Sequence, residues 1–261
     1  MTRSYMKKGR ESVPAEKSVS SEPCEKRVRA YFAGVPVFDT IQAQLVRNLP
    51  NNVAYFVPLP NLRNELIVPS SKTEDSSEGR IEFYDIVVGD KIAKDAAWRY
   101  PESKLPEIRE RMRFDWNAMD GWFEEDEEVF FHPRSPNHRV DICPSSRHIE
   151  VFVDGVKVAD STHAKLLFET NNPTRYYLPL IDVRQDLLKP TDTVTRCPYK
   201  GYASYWSVEV NGKSHNDVVW AYKSPFYESL PIAGLAAFWN EKLDIYVDGV
   251  IDSRSAARIK A

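Results

Sequence analysis

Hydrophobic and polar positions alternate along much of the second half of the chain, which is the pattern of half-buried β-strands. Residues 202–210 alternate in this way and end at an Asn-Gly dipeptide, typical of a two-residue hairpin turn, and residues 218–222 can pair back. An Asp-Gly dipeptide at 154–155 predicts a second hairpin. A short helix from Asp182 to Leu188 is expected, because the Asp182 carboxylate can accept the free N–H groups of a first turn. Shorter apolar runs predict strands at 176–178, 236–239 and 243–247.

The chain repeats this pattern with a shift of 121 residues. Residues 34–67 align without a gap on residues 155–188, and the shift grows to 122 at Trp98 and Trp220. Loop insertions produce such a drift, so two related domains follow one another along the chain. Identical pairs in the alignment include Gly34 and Gly155, Val37 and Val158, Tyr55 and Tyr176, and Arg63 and Arg184.

Strand pattern and repeat together predict a mainly β protein with two tandem domains, each a small twisted antiparallel sheet with one or two short helices. Residues 1–26 are rich in Ser, Glu, Lys and Pro and are expected to form a disordered tail. The other predicted segments are a first domain at 27–131, a linker at 132–146, a second domain at 147–250 and a C-terminal tail at 251–261.

The amino-acid composition limits which classes of partner and which cellular compartment are expected. The 35 basic and 38 acidic residues give a net charge of −3, so no partner nucleic acid or anionic membrane surface is expected. Three cysteines without a CxxC pair argue against a disulfide framework or a four-cysteine zinc site, and no metal or cofactor is expected. No apolar run is long enough to span a membrane and the N-terminus lacks the apolar core of a signal peptide, so the cytoplasm is the expected compartment.

The second domain carries a specific order of motifs. Glu169 is followed by Tyr177-Leu178-Pro179, Cys197-Pro198-Tyr199-Lys200-Gly201, Trp220-Ala221-Tyr222 and an apolar segment from Ile232 to Phe238. This order resembles the domain of unknown function 427 family over 147–250, with a degenerate copy over 27–131. The resemblance implies a compact β-tent-like fold but no reaction. Such proteins are sometimes catalogued as nucleotidyltransferase-like, yet the chain has no Gly-rich phosphate loop and no paired metal-binding carboxylates.

The two copies differ mostly at polar positions. Polar groups needed for folding alone would be required in both copies, so their loss from the first favours one functional site in the second. The alternative is that the first copy fills its core in another way. The first copy has no Cys-Pro within residues 71–80, and it has Asn48 opposite Glu169, Ala54 opposite Arg175, Phe56 opposite Tyr177 and Asn61 opposite Asp182.

Three residues of the second copy are candidates for catalysis. Cys197 lies between Arg196 and Lys200, whose positive charges favour the nucleophilic thiolate, although a small buried cysteine before a turn would be inert. Lys200 could act as a general base, a Schiff-base amine or an anion clamp. Glu169 in an apolar strand would have a raised pKa unless paired, which suits acid–base chemistry. The alternative for Glu169 and Lys200 is an ion pair that only fixes two strands.

A second group of residues is predicted to bind the substrate. Its aromatic members could stack on a planar ligand, but Trp220 and Tyr222 recur in the first copy, which favours core packing for them. His163 and His215 have no partners at metal-ligand spacing and are expected at the surface. The predicted substrate-binding residues are Arg175, Tyr177, Arg196, Tyr205, Trp220 and Tyr222.

Three functional hypotheses follow from these residues. The first is a cofactor-independent, non-redox enzyme that acts on a small molecule, of isomerase, lyase or hydrolase type. The second is a binding module with an aromatic-lined pocket for a small ligand or a modified peptide. The third is a structural protein without activity. The sequence leaves the substrate and the oligomeric state open.

Overall fold

β-Strands dominate the part of the chain that the computed structural model describes, which is residues 19–47 and 53–254. The chain divides into two compact units, unit 1 at Met1–Glu127 and unit 2 at Glu128–Ala261. No helix within the described ranges is long and apolar enough to cross a membrane. The predicted mainly β, tandem organisation is confirmed.

Unit 1 is built from short strands joined by turns and single helical turns. Its strands are β1 (Ser20–Pro23), β2 (Val28–Phe32), β3 (Val35–Thr40), β4 (Gln44–Arg47), β5 (Ala54–Pro58), β6 (Ile67–Ser76), β7 (Gly79–Val88), β8 (Lys91–Arg99), β9 (Arg111–Phe114) and β10 (Gly121–Glu124). The last strand of its small sheet, β11 (Glu127–Val129), begins at the final residue of the unit and extends past it. Its helical segments are α1 (Pro106–Arg109) and 3-10 turns at Leu59–Asn61, Asn64–Leu66 and Trp116–Ala118.

Unit 2 repeats this order of elements. Its strands are β12 (Val140–Pro144), β13 (Ile149–Val153), β14 (Val156–Ser161), β15 (Lys165–Glu169), β16 (Arg175–Leu178), β17 (Leu188–Cys197), β18 (Gly201–Val210), β19 (Lys213–Tyr222), β20 (Ala236–Phe238), β21 (Asp244–Val247) and β22 (Val250–Ile251). Its helical segments are 3-10 turns at Leu180–Asp182, Gln185–Leu187 and Tyr227–Ile232.

Each unit contains a large seven-stranded sheet and a small four-stranded sheet. The large sheets have the orders β1-β4-β5-β9-β8-β7-β6 and β12-β15-β16-β20-β19-β18-β17. The small sheets have the orders β3-β2-β10-β11 and β14-β13-β21-β22. The structure thus adds a second sheet to each predicted domain. Matching strand orders are what an internal duplication produces.

The large sheet of unit 2 buries apolar side chains on both faces. Successive side chains of a strand point to opposite faces, so one strand supplies two cores. On β16, Tyr176 and Leu178 enter the core shared with the small sheet, whereas Tyr177 enters a core on the opposite face. We call this second core the outer core of unit 2; its buried members are Leu167, Tyr177, Ala203, Trp220, Tyr222, Ile232 and Ala237.

Order in unit 1 begins earlier than the sequence predicted. β1 lies within the expected disordered tail, yet it pairs antiparallel with β4, and Cys24 immediately after it is buried. Glu22 of β1 forms an ion pair with Arg47 of β4. The prediction of a disordered tail rested on composition, and β1 has only four residues with few apolar side chains among them. Composition therefore does not distinguish this edge strand from the rest of the tail. Residues 1–18 of the predicted tail lie outside the described residues.

The predicted linker and C-terminal tail also contribute strands. β12 falls within the predicted linker 132–146, but it pairs along its whole length with β15 at the edge of the large sheet. Ile251 falls within the predicted C-terminal tail and pairs with Tyr246 of β21. The prolines that flank β12 led to the prediction of a linker. Its backbone groups form hydrogen bonds only when the strand pairs with β15 in the folded protein, which the local sequence does not indicate.

The helix expected from Asp182 to Leu188 consists of two 3-10 turns followed by the start of β17. The Asp182 carboxylate does not cap a helix; it accepts a hydrogen bond from Ser161 Oγ at 2.6 Å. The Thr40 hydroxyl and the Asn61 amide oxygen form the equivalent hydrogen bond in unit 1, at 3.2 Å. The exchange of Asp for Asn between the copies therefore preserves one structural contact.

Removal of β1 should destabilise unit 1. We expect a chain that starts at residue 27 to melt below one that starts at residue 19, because it loses the β1–β4 hydrogen bonds and the buried Cys24 side chain. Burial of one such side chain contributes about 1–2 kcal/mol, or roughly 3 °C or more in Tm. Differential scanning calorimetry of the two chains measures the difference, and equal melting temperatures would contradict a stabilising role for β1.

Candidate functional site

Segments that cover the outer core of unit 2 assemble the candidate site. The 197–201 turn joins β17 to β18, and the 3-10 turn at Tyr227–Ile232 lies against β12. Ser229 Oγ donates a hydrogen bond to the Tyr199 carbonyl at 3.1 Å, and the Phe226 N–H donates to the Lys200 carbonyl at 3.3 Å. These bonds fix the 197–201 turn to the segment that follows β19.

Glu169 is the centre of a polar cluster at the end of β15. Its Oε2 lies 2.6 Å from Lys200 Nζ, and its Oε1 lies 3.0 Å from His138 Nε2. The side chains of Glu169 and Lys200 are each 10% exposed, so water reaches the pair only to a small extent. The structure therefore brings Glu169 and Lys200 together and adds His138 to them.

Burial and charge act in opposite directions on Glu169. Burial raises the pKa of the carboxyl, but the charge and hydrogen bond of Lys200, with a further hydrogen bond from His138, outweigh it and hold the pKa below its usual 4.5. The expectation of a raised pKa applied only to an unpaired carboxyl. At neutral pH Glu169 is therefore ionised, and it can accept a proton or stabilise a positive charge but cannot donate a proton.

His138 is the functional candidate that the sequence analysis missed. Its ring stacks on the Tyr199 ring with centroids 4.0 Å apart and planes at 21°. The Tyr199 hydroxyl accepts a hydrogen bond from the Ser135 N–H at 2.8 Å, and Arg134 Nε donates to the Pro198 carbonyl at 2.8 Å. Residues 134–138 are thus fastened to the 197–201 turn. No local pattern marks His138, because its partner Glu169 lies 31 residues away in the chain.

Cys197 and Arg196 lie on opposite faces of the large sheet. Cys197 is partly buried against the outer core. The Arg196 guanidinium instead lies over the rings of Phe130 and Tyr202, 5.5 and 5.0 Å from their centroids. The expectation that Arg196 acts on the Cys197 thiol is corrected, because adjacent residues of a strand point in opposite directions. Substrate binding by Arg196 stays a prediction.

The predicted aromatic residues meet in the outer core. Trp220 Nε1 donates a hydrogen bond to Tyr177 Oη at 3.1 Å, and both side chains are buried. The Tyr205 ring lies 6.4 Å from the Trp220 ring, and the Tyr205 hydroxyl shares a hydrogen bond with Thr195 Oγ1 at 2.9 Å. Burial favours core packing for Tyr177 and Trp220, whereas Tyr205 is partly exposed.

Arg175 has a structural role that unit 1 fills from another strand. Its guanidinium makes two hydrogen bonds to Glu241, at 2.7 and 3.0 Å, and lies 5.6 Å from the centroid of the Trp220 ring. In unit 1, Arg113 of β9 lies 5.0 Å from the centroid of the equivalent Trp98. Both units therefore keep a cation over this tryptophan, which is a structural role, and substrate binding by Arg175 stays a prediction.

A separate cluster of potential metal ligands lies on the small sheet of unit 2. His148, Glu150 and Asp160 each offer one ligand atom within 4.8 Å of the others. Lys157 Nζ lies 2.6 Å from Glu150 and 2.7 Å from Asp160. Its ammonium supplies the positive charge that a metal ion would bring, so we interpret the cluster as an ion-pair network.

Comparison with known families gives the same two-part division. The family described as Domain of unknown function (DUF427) matches residues 20–125 and, a second time, residues 141–249. The chain belongs to this family. It is a tandem pair of DUF427 domains, and the matched ranges fall within units 1 and 2. No curated protein matches the chain.

Loss of the Lys200 charge should destabilise the protein in a pH-dependent way. Lys200→Met leaves the Glu169 carboxylate buried without its main partner, which costs about 3 kcal/mol of unfolding free energy. Because the folded pKa of Glu169 lies below the usual 4.5, the pair's contribution is complete above pH 4.5 and disappears as pH falls through the folded pKa. The difference from the native protein should therefore shrink below pH 4.5.

Urea denaturation at a series of pH values measures this effect. The control is Lys189→Met, because Lys189 and Glu209 are half exposed with 4.0 Å between their charged atoms. Such surface pairs contribute little, so the control should lose less than about 1 kcal/mol. A loss for Lys200→Met that stays constant from pH 7 to pH 3 would contradict the assignment to the ion pair.

Proposed function

We propose that unit 2 is a cofactor-independent enzyme that performs acid–base chemistry on a small molecule, of isomerase, lyase or hydrolase type. The observation that carries the proposal is the contact of one nearly buried carboxylate, Glu169, with both Lys200 and His138. Groups that transfer protons in enzymes are commonly placed in such partly closed, charge-paired surroundings.

His138 is the proton-transfer group in this proposal. An ionised carboxylate can only accept hydrogen bonds, so His138 Nε2 carries the hydrogen that points to Glu169. The neutral ring then has its lone pair on Nδ1, which makes no hydrogen bond within the described residues. A histidine whose far nitrogen is oriented by a carboxylate is a common form of general base.

Lys200 and Cys197 complete the proposed site. The Lys200 ammonium stabilises negative charge on the reacting molecule, while its bond to Glu169 fixes its position. In the hydrolase form of the proposal, Cys197 acts as the nucleophile. Arg196 does not act on Cys197, because it faces the other side of the sheet.

Comparison of the two units supports a functional over a structural role for Lys200. Alignment of Gly79 with Gly201, each at the start of the second strand of a hairpin, places Glu78 at the Lys200 position. Glu78 accepts a hydrogen bond from Ser103 at 3.2 Å, so unit 1 has the opposite charge there. The exchanges at Arg175 and Asp182 have structural replacements in unit 1, but the Lys200 position has a reversed charge.

A binding module without catalysis is the second candidate. The observation that favours it is the aromatic content of the outer core, where Tyr177, Tyr205, Trp220 and Tyr222 pack together. A planar small ligand or a modified peptide would be the partner. In that case the Glu169–Lys200 pair orients the ligand and transfers no proton.

The partner we propose in both cases is a small molecule rather than nucleic acid or a membrane surface, and the compartment is the cytoplasm. The balanced charge of the chain supports the first point, because nucleic-acid sites require clustered positive charge. Three free cysteines are compatible with a reducing compartment.

Removal of one charge should separate the two candidates. Glu169→Gln preserves shape but no longer orients His138 as a base, so we expect kcat to fall by roughly 100-fold or more. The substrate is first sought by native mass spectrometry of the purified protein, and turnover of the co-purified molecule is then followed by NMR. Glu241→Gln, which breaks the Arg175 brace, is the control and should keep kcat. Unchanged turnover, or a loss of affinity alone, would favour the binding module.

A further inference from the structure

A cavity of about 350 Å³ lies at the β12 edge of the large sheet of unit 2. It is bounded by the end of β12, by residues 145–146, and by the turn that joins β14 to β15. Its volume is within the range of small-molecule sites. None of its lining residues belongs to the cluster around Glu169.

The polar side chains that line this cavity are all hydrogen-bond donors, and none is a carboxylate. Thr162 Oγ1 and His163 Nδ1 lie 3.5 Å apart. Neither Lys165 Nζ nor the His163 ring forms an ion pair within the part of the chain that the structure describes. An ammonium, an imidazole and three hydroxyls without a carboxylate are the donors that an oxyanion requires. The polar lining residues are Ser145, Ser146, Thr162, His163 and Lys165.

Backbone hydrogen bonds fix the position of these side chains. Lys165 lies on β15, which pairs with β12 on one side and with β16 on the other. The Ser145 N–H donates to the Ala164 carbonyl at 2.9 Å, and the His163 N–H donates to Ser161 Oγ at 3.1 Å. The cavity is therefore formed before a ligand arrives, which lowers the ordering cost of binding.

Unit 1 has the same backbone arrangement without these donors. The Cys24 N–H donates to the Ala43 carbonyl at 2.8 Å, and the Gln42 N–H donates to Thr40 Oγ1 at 3.0 Å. The loop and the turn therefore fold without a cation, and unit 1 has a carboxylate, Glu25, in its place. The residues of unit 1 opposite Ser145, Ser146, Thr162, His163 and Lys165 are Cys24, Glu25, Ile41, Gln42 and Gln44.

We propose that this cavity binds the phosphomonoester group of a small molecule. A phosphate group carries nearly two negative charges at neutral pH and has three acceptor oxygens, so it can contact the Lys165 ammonium and several hydroxyls together. A carboxylate offers two oxygens and one charge. Pro144 and Ala164 line the same cavity and supply apolar contacts for the rest of the molecule. The site goes beyond the proposed function and does not depend on it.

An NMR titration of the full chain with glycerol phosphate tests the site. The amide signals of Ser145, Ser146 and His163 should shift and reach saturation. Glycerol, which lacks the phosphate, should leave them in place. The Gln42 amide of unit 1 is an internal reference that should not move, because its turn has the same backbone bond without the donors. Shifts that do not saturate, or that glycerol or acetate reproduces at equal ionic strength, would overturn the proposal.

Substitution of Lys165 measures the contribution of the charge. Lys165→Met removes the ammonium and keeps the apolar stem, so the affinity for glycerol phosphate should fall about ten-fold, whereas Lys165→Arg should keep most of it. Lys189→Met removes a half-exposed lysine that does not line the cavity and should leave the affinity unchanged. Equal affinities of the native chain and Lys165→Met, or an equal loss for Lys189→Met, would contradict the assignment.

A second variant copies the turn of unit 1. Thr162→Ile combined with His163→Gln introduces the residues that the equivalent turn of unit 1 already accommodates, so it should fold. Its affinity for glycerol phosphate should also fall, and an unchanged affinity would overturn the proposal.

Phosphatidic acid presents the same phosphomonoester on a lipid and distinguishes the source of the group. The chain should not sediment with phosphatidylcholine vesicles that contain phosphatidic acid. Sedimentation that Lys165→Met abolishes, without saturable shifts from glycerol phosphate, would assign the site to a membrane surface and overturn the small-molecule proposal. These measurements are independent of turnover, so failure of the proposed enzyme would leave them unaffected.

Discussion

Burial of both faces of the large sheet is the constraint on which unit 2 depends. Each central strand must supply apolar side chains to the inter-sheet core and to the outer core at once. Tyr176 and Tyr177 illustrate this, because they are adjacent in the chain and enter different cores. Among the described residues of unit 2, the 197–201 turn and the Tyr227–Ile232 segment contribute Cys197 and Ile232 to the outer core. The candidate site arises where these irregular segments meet the edge of the sheet.

Comparison of the two units identifies the residue exchanges that preserve a structural contact. Arg113 replaces Arg175 as the cation over the tryptophan, and Asn61 replaces Asp182 as the partner of a hydroxyl. Both exchanges preserve a physical interaction although the residues change. Asn48, the aligned residue for Glu169, lies outside the described residues, so Lys200 carries the comparison. The charge reversal at this position, where unit 1 has Glu78, has no such structural replacement.

The Glu169 cluster shows why a carboxylate and an ammonium can be stable so close to an apolar core. Transfer of a carboxylate or an ammonium from water into the protein interior costs free energy. Ion-pair and hydrogen-bond partners of the buried group offset this cost. Lys200 and His138 both contact Glu169, each through a different oxygen. The same contacts orient His138, and in the proposed enzyme this orientation is the one that proton transfer requires. The proposal therefore couples stability and function at this position.

Local pattern in the sequence determined the β class, the tandem repeat and most strands of unit 2, and it marked Glu169 and Lys200 as a candidate ion pair. These features depend on side-chain periodicity, turn dipeptides and the comparison of aligned copies, all of which are visible along one dimension. Only the tertiary structure decided that Arg196 faces away from Cys197, that β1 and β12 are strands, and that His138 reaches Glu169. Edge strands and long-range contacts depend on which backbone groups and which faces of the strands meet in the folded protein. The spacing of residues along the sequence does not indicate these meetings.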